Sequence, residues 1–224
     1  MPRPCDPAEF RCTRHLELQA WREGRRFIAG CDEVGRGALL GPLYAAAVIL
    51  DPEKSIPGID DSKKLTAHQR ESLAKKIRLE ALAWQVVAVT AEEVDTLNVY
   101  EASRQGMLRA LKALCPAPDF ILTDAMPLRE TGADFCIPHR AIIHGDARSV
   151  CIAAASILAK VARDEHLARL DGAFPQYGLA RNKGYGTRDH LAALARFGPC
   201  AEHRKSYQPV KDYLLPLFPL VSPA

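Results

Sequence analysis

The chain has 224 residues, 48% of them hydrophobic and 25% charged, with a formal net charge of +3 at pH 7. That size suits one α/β domain with a small helical appendage, and such a core needs no disulfide or metal staple to fold. No apolar run approaches the roughly 20 residues that cross a bilayer as a helix, so no membrane-spanning helix is expected.

The N-terminal MPRPCDPAEF has no apolar stretch behind its charge, so it is not a secretory signal, and a cytoplasmic location is expected. The seven cysteines, Cys5, Cys12, Cys31, Cys115, Cys136, Cys151 and Cys200, are scattered without a C-x-x-C pair. They are expected to be reduced and mostly buried. Cys5, Cys12 and His15 lack a fourth ligand at zinc spacing.

In chain order, residues 1–24 read as an irregular arm with a short helix (TRHLELQAW). FIAGCD is a strand, EVGRGALLGP a glycine-rich turn and LYAAAVIL a second strand. Pro42 and the glycines bar a helix between the two strands, which makes them sheet neighbours. After the loop DPEKSIPGIDDSKKL, Thr66 opens a helix with Leu73, Ile77 and Leu82 as apolar positions. WQVVAVT is a β-branched strand. Residues 91–114 carry helical periodicity, with Val99, Met107, Leu108, Leu111 and Leu114 as core. DFILTD and RAIIHGD read as buried strands that each end in a carboxylate.

RSVCIAAASILAKVARDEHLARL is a helix so rich in alanine that it should pack close to the sheet at the centre of the molecule. Ser149, Ser156, Lys160 and Arg163 share one stripe of it, with Asp164 at the edge. A polar stripe on a buried helix demands polar partners. The segment NKGYG leads to a last helix, TRDHLAALARF, and an apolar, proline-rich tail. Arg181, Lys183, Arg188, Arg196, His203, Arg204, Lys205 and Lys211 concentrate positive charge in the C-terminal third, as a phosphate-binding surface or as a solvated face.

Three strands thus end in acids: Asp32-Glu33, Asp124 and Asp146. Strand ends are where open α/β sheets place ligands. Gathered carboxylates repel one another unless a cation neutralises them, and hard oxygen ligands suit Mg²⁺ or Mn²⁺. Two such ions about 4 Å apart can serve phosphodiester hydrolysis. Asp32 and Glu33 are adjacent, so a regular strand points them to opposite faces; the following glycines could bring both to one edge. Each acid also has a plain alternative: Asp32 and Glu33 as turn residues, Asp146 as N-cap of the alanine-rich helix, Asp164 as partner of Lys160. Gly35, Arg36, Gly37 and Gly41 miss the dinucleotide fingerprint, because the last glycine is one position late, Pro42 blocks a helix, and upstream acids would repel a pyrophosphate. Gly35 and Gly37 instead let backbone groups approach a nucleic-acid strand and sense a ribose 2′-hydroxyl.

From about residue 27 to about 210 the segments AGCDEVGRGALLGP, GIDDSKKLT, FILTDA, HGD, IAAASILAKVARDEH, NKGYGTRDH and HRKSYQPV, in that order, resemble the ribonuclease HII family. The resemblance implies a ribonuclease H-like mixed sheet flanked by helices, with an arm over 1–24, a catalytic core over 25–178 and a helical extension over 179–224 that contacts substrate. It implies endonucleolytic cleavage of the RNA strand in RNA–DNA hybrids and incision 5′ to ribonucleotides embedded in duplex DNA. The acidic set it implies is Asp32, Glu33, Asp124 and Asp146, with Asp164 a competing fourth acid. Gly35, Arg36 and Gly37 would read the ribonucleotide backbone, and Tyr185 would sense the junction. Lys63 would contact phosphate, and Ser156 and Lys160 on the helical stripe are further candidate substrate contacts. Two departures stand out. Ala125-Met126 replace a glycine and a polar residue after Asp124, and His144 replaces a lysine before Gly145-Asp146.

Two rivals are a resolvase- or transposase-like nuclease of the same fold, which needs no ribose, and a nucleic-acid-binding module without turnover. Leu214-Leu215-Pro216-Leu217-Phe218 resembles apolar peptides that dock on a replication clamp; the alternative is an ordinary packed C-terminus.

Overall fold

The computed structural model describes residues 11–128 and 136–214. Among these, β1 (Ile28–Val34), β2 (Leu43–Ile49), β3 (Ala83–Val89), β4 (Phe120–Asp124) and β5 (His139–Ile142) form one mixed sheet in the order β3-β2-β1-β4-β5. The strands joined by the glycine-rich turn pair antiparallel, as expected, and β1 runs parallel to β4 with Cys31 opposite Thr123. That parallel pairing brings the acid-bearing ends of β1 and β4 side by side. β5 is an edge strand with only Ile142 buried, not the buried strand its apolar residues suggest. β4 is its one strand neighbour, and of its side chains Ile142 packs into the core with Ala20 and Ile152.

Helices cover both faces. The alanine-rich segment is α5 (Val150–Ala173), which with α2 (Ala67–Glu80) packs on Tyr44, Ala46 and Val48. Its closeness depends on Gly30, where an added Cβ would lie 2.1 Å from the backbone carbon of Cys151. Ser149 caps α5 by accepting from the Ile152 N–H at 3.2 Å. α1 (His15–Arg22) supports that end, since its buried Glu17 accepts from the Cys151 N–H at 3.0 Å, where the helix dipole favours an anion.

On the other face α4 (Val99–Lys112) sets Met107, Leu108 and Leu111 against Ala29, Cys31, Ala45 and Ala47. The segment 91–114 is two helices. α3 (Ala91–Leu97) ends at Asn98, whose φ of +68° breaks the helix and whose carboxamide oxygen caps α4 through Tyr100 and Glu101. Thr66 caps α2 with Gln69 in a reciprocal box, but Leu82 lies beyond the helix and is exposed.

α6 (Leu179–Asn182) and α7 (Arg188–Phe197) complete the fold, with Thr187 as N-cap of α7. Leu179 and Ala193 share a core with Leu40, Leu167 and Tyr177. Of the cysteines, Cys31 and Cys151 are buried, but Cys115 and Cys136 are exposed, contrary to the expectation that most lie inside. Cys5 and residues 215–224 lie outside the described residues. Among the described residues no helix is long and apolar enough to cross a membrane.

Candidate active site

Asp32 sits on β1 and is 5% exposed, facing α5. Asp124 ends β4, and its Oδ1 accepts the Gly145 N–H at 2.7 Å. Asp146 does not end a strand. It lies in a short 3-10 turn, Gly145–Ala147, between β5 and α5, and Ser149 rather than Asp146 caps the helix. Among the described residues these three carboxylates form one group whose ligand atoms all lie within 4.8 Å of one another. Asp164 stands apart from that group, held by Lys160 at 2.8 Å and near Arg70 at 3.9 Å. Its plain alternative is the observed one.

Glu33 lies outside the group of three. β1 stays regular through Val34, so the glycines do not swing Glu33 onto the Asp32 face. Its carboxylate meets Arg36 at 3.1 Å and lines the same cavity of about 260 Å³ as Asp32, Asp124, Ser62, Lys63, Arg70, Ser156, Lys160 and Tyr185. Glu33 Oε2 is buried with no hydrogen-bond partner.

Burial pushes the Asp32 carboxyl well above its ordinary value, and the charges of Glu33 and Asp124 add to the effect. Glu33 is raised to about 6 by burial, against the pull of Arg36. Asp124 is raised by burial and then by Asp146. Such crowding is unfavourable for anions without a counter-cation. An orphaned carboxylate oxygen beside three converging carboxylates is the oxygen-only donor set that a small divalent cation takes.

Lys63 reaches over the group and places Nζ 2.8 Å from Asp146. Ser156 Oγ lies 2.9 Å from Ser62 Oγ, which ties α5 to the Asp-Ser-Lys loop. Arg70, which sequence reasoning passed over, holds that loop by donating to the carbonyls of Ser62 at 2.9 Å and Leu65 at 2.5 Å.

The glycine-arginine-glycine turn follows directly on Glu33 and Val34, which line the cavity. Gly35 has a φ of +94°, and a Cβ there would lie 2.3 Å from Arg163 Nε. Arg163 is fully buried and donates to the carbonyls of Pro42 at 3.2 Å and Lys183 at 3.0 Å. Its guanidinium lies 5.4 Å from the centre of the Tyr185 ring, which is 37% exposed. The carbonyls of Pro42 and Lys183 for Arg163, and Ser62 for Ser156, are the polar partners that the stripe demanded. Arg204 is also fully buried and donates to the carbonyls of Arg36 at 2.8 Å and Gly41 at 3.1 Å. It belongs to the scaffold, as does buried His203, whereas Arg181, Arg188, Arg196, Lys205 and Lys211 are exposed. Paired with backbone carbonyls, a buried arginine leaves no periodicity by which sequence could tell it from a surface one.

The family model described as Ribonuclease HII matches residues 29–210. The chain is 50% identical over 205 residues to a ribonuclease HII of Solibacter usitatus (strain Ellin6076), covering 92% of this chain and 88% of that one. It is 48% identical over 202 residues to a ribonuclease HII of Syntrophomonas wolfei, covering 90% and 78%. Among solved structures it resembles the ribonuclease H2 from Pyrococcus horikoshii OT3, with a TM-score of 0.72 and 27% identity over 84% of this chain and 97% of that one. It also resembles the protein in the PCNA:RNase HII complex from Archaeoglobus fulgidus, with a TM-score of 0.68 and 25% identity over 82% and 96%.

Proposed function

The chain belongs to the ribonuclease HII family and is a metal-dependent endonuclease of the ribonuclease H type; on that footing we propose that it incises 5′ to ribonucleotides embedded in duplex DNA as well as within RNA–DNA hybrids, leaving 3′-hydroxyl and 5′-phosphate ends. The observation that carries this reading is the convergence of ligand atoms of Asp32, Asp124 and Asp146 within 4.8 Å of one another.

In this reading Asp32, Glu33, Asp124 and Asp146 hold two Mg²⁺ or Mn²⁺ ions, with Asp146 rather than Asp164 as the fourth acid. Bound there, the ions supply an activated water and neutralise charge on the phosphate being cut. The protein's own residues position the substrate. Backbone groups of Gly35, Arg36 and Gly37 take the ribose 2′-hydroxyl. Tyr185 packs against the sugar at the ribonucleotide–deoxyribonucleotide junction, a use suited to an exposed ring. Lys63 and Lys160 face the phosphates, and Ser156 borders the same cavity. Residues 179–224 form the substrate-contacting extension, residues 1–24 the arm and residues 25–178 the core. A cytoplasmic location is part of the same proposal.

Replication-clamp docking through Leu214–Phe218 is the weaker part of the reading. It draws support from the clamp complex of the Archaeoglobus protein, and the segment from residue 215 lies outside the described residues. Removal of residues 213–224 should abolish clamp binding, and unchanged binding would end the idea.

The deciding experiment maps cleavage on a duplex carrying one ribonucleotide and on its all-DNA counterpart, in Mg²⁺ and in Mn²⁺. A single cut 5′ to the ribonucleotide and an intact all-DNA duplex are expected. Equal cutting of both would favour a resolvase-like enzyme, and tight, salt-sensitive binding without turnover would favour a binding module.

A further inference from the structure

Behind Tyr185 lie two buried histidines that the reading above leaves without a task. His190 Nδ1 is 3.0 Å from the Tyr185 carbonyl oxygen, and His190 Nε2 is 3.3 Å from His203 Nε2. His203 Nδ1 in turn receives the Cys200 backbone N–H at 3.0 Å. Both ends of this chain have a fixed polarity. A carbonyl oxygen only accepts, so His190 Nδ1 carries a proton. A backbone N–H only donates, so His203 Nδ1 carries none.

For neutral rings the rest follows. The His203 proton sits on Nε2 and points at the bare Nε2 of His190. A second proton on His190 would set two N–H groups head-on, and one on His203 would oppose the Cys200 N–H. Burial lowers both pKa values, that of His203 to about 4 with His190 as the next cause, so both rings stay neutral at physiological pH. Cys200 Sγ, 3.2 Å from His203 Nδ1, is raised by burial and stays a thiol, which fits the same bare nitrogen.

We propose that His190 and His203 are positioning residues: a relay of fixed proton order, running from the Cys200 backbone to the Tyr185 carbonyl, sets where Tyr185 stands beside the Gly35–Gly37 turn. The inference rests on the reading of Tyr185 as the junction-sensing residue. The same segment holds the facing wall. His203 pairs with Leu40 as an isolated antiparallel bridge, the Gly41 N–H reaches the Glu202 carbonyl at 2.9 Å, and Arg204 holds the Arg36 carbonyl at 2.8 Å. Gly37 faces the ring directly, since a Cβ there would lie 3.9 Å from Tyr185 Cε1. Cys200–Arg204 thereby sets the gap between the two elements that read the substrate.

The proton order can be read from ¹⁵N shifts of the two rings in the full chain near neutral pH. The expected result is a proton on Nδ1 of His190 and on Nε2 of His203. His190 found as the Nε2–H tautomer, or as an imidazolium, overturns the relay.

The positioning role is read as the ratio of single-ribonucleotide incision to uniform-hybrid cleavage. His190→Asn keeps an amide N–H near the Nδ1 position and is expected to hold the ratio within about twofold, whereas His190→Gln leaves the Tyr185 carbonyl without its donor and is expected to lower it about 3- to 10-fold. Equal ratios in the two variants overturn the positioning role. His203→Gln, whose amide can still donate to His190 Nε2, is expected to keep both the ratio and the His190 Nδ1 proton; it decides the matter if His190→Gln does not fold, and a collapsed ratio in it counts against the relay. Tyr185→Ala separates the two levels. If it leaves the ratio unchanged, the junction-sensing reading is rejected, and the relay stands or falls on the tautomers.

Discussion

Lys63 Nζ lies 2.8 Å from Asp146 Oδ2, although the lysine side chain is 78% exposed and the aspartate 5%. Burial alone would lower the Lys63 pKa, but its hydrogen bond to Asp146 and the acids around it raise it. An ammonium thus sits against one of the three converging carboxylates, where it would compete with a metal ion held by Asp146. Lys63→Gln is expected to lower the metal concentration for half-maximal cleavage and to raise KM, because the same residue is read as a phosphate contact. The change in each should be about 2- to 5-fold, the range of a solvent-exposed ion pair. A metal titration of activity checks it, and a weaker metal requirement paired with an unchanged KM would remove the phosphate role.

Asp124→Asn should reduce Mg²⁺-dependent cleavage by about 100-fold or more, since it removes charge from the metal-facing group. The asparagine oxygen can still accept the Gly145 N–H that Asp124 holds at 2.7 Å, so the fold is expected to survive. Without metal, the variant should melt no lower than the parent, because it relieves repulsion from Asp146. Full activity in this variant would show that Asp124 is not a metal ligand.

Metal binding should release protons near pH 6. Burial raises Glu33 to about 6, and Asp32 lies well above its ordinary value. A carboxylate whose folded pKa is raised opposes folding at higher pH, and that opposition fades as pH falls through about 6 towards its unfolded value. A cation takes the charged forms, so its affinity must fall along the same path. Calorimetry of metal binding at pH 6 in buffers of different ionisation enthalpy measures the protons released. A heat independent of the buffer would contradict the link.

Ala125→Gly is expected to stabilise the protein by about 0.5–1 kcal/mol, because an alanine in the left-handed region carries steric strain that a glycine does not, partly offset by the freer unfolded chain. Ala125 has a φ of +49° immediately after Asp124, where the family resemblance leads one to expect glycine. Urea denaturation of the two proteins tests this, and a loss of stability would mean that the turn tolerates the methyl group without strain.

Much of the framework is local and was legible from the chain. Thr66 and Thr187 announce their helices because a hydroxyl three residues before a free N–H is a short-range device. The alanine run of α5 announces a helix lying tight on a sheet. The family motifs pointed to Asp32, Glu33, Asp124 and Asp146; the structure brings Asp32, Asp124 and Asp146 together, with Asp146 in a turn instead of at a strand end and Glu33 outside the group. The break at Asn98 carried a signal too, an asparagine followed by Glu101 at capping distance, but uninterrupted periodicity hid it.

Other features depended on contacts between distant segments, and only the tertiary structure decided them. Whether Asp146 or Asp164 joins the acids depends on how β5 returns to α5. In the fold Asp146 faces Lys63 from 83 residues away, and Asp164 turns to Lys160 on its own helix. His203 and Arg204 read as members of a basic surface and Arg163 as part of a helical polar stripe, yet these three and His190 are buried, and Arg163, Arg204 and His190 hold the carbonyls of Lys183, Arg36 and Tyr185. Hydrophobic periodicity reports which side of an element meets the core, and a charged residue that meets the core through backbone carbonyls leaves no such mark. The sequence by itself marked most of the strands and helices and the acids they carry; which acids converge, and which cations turn inward, follows from strand pairing and helix docking across the described chain.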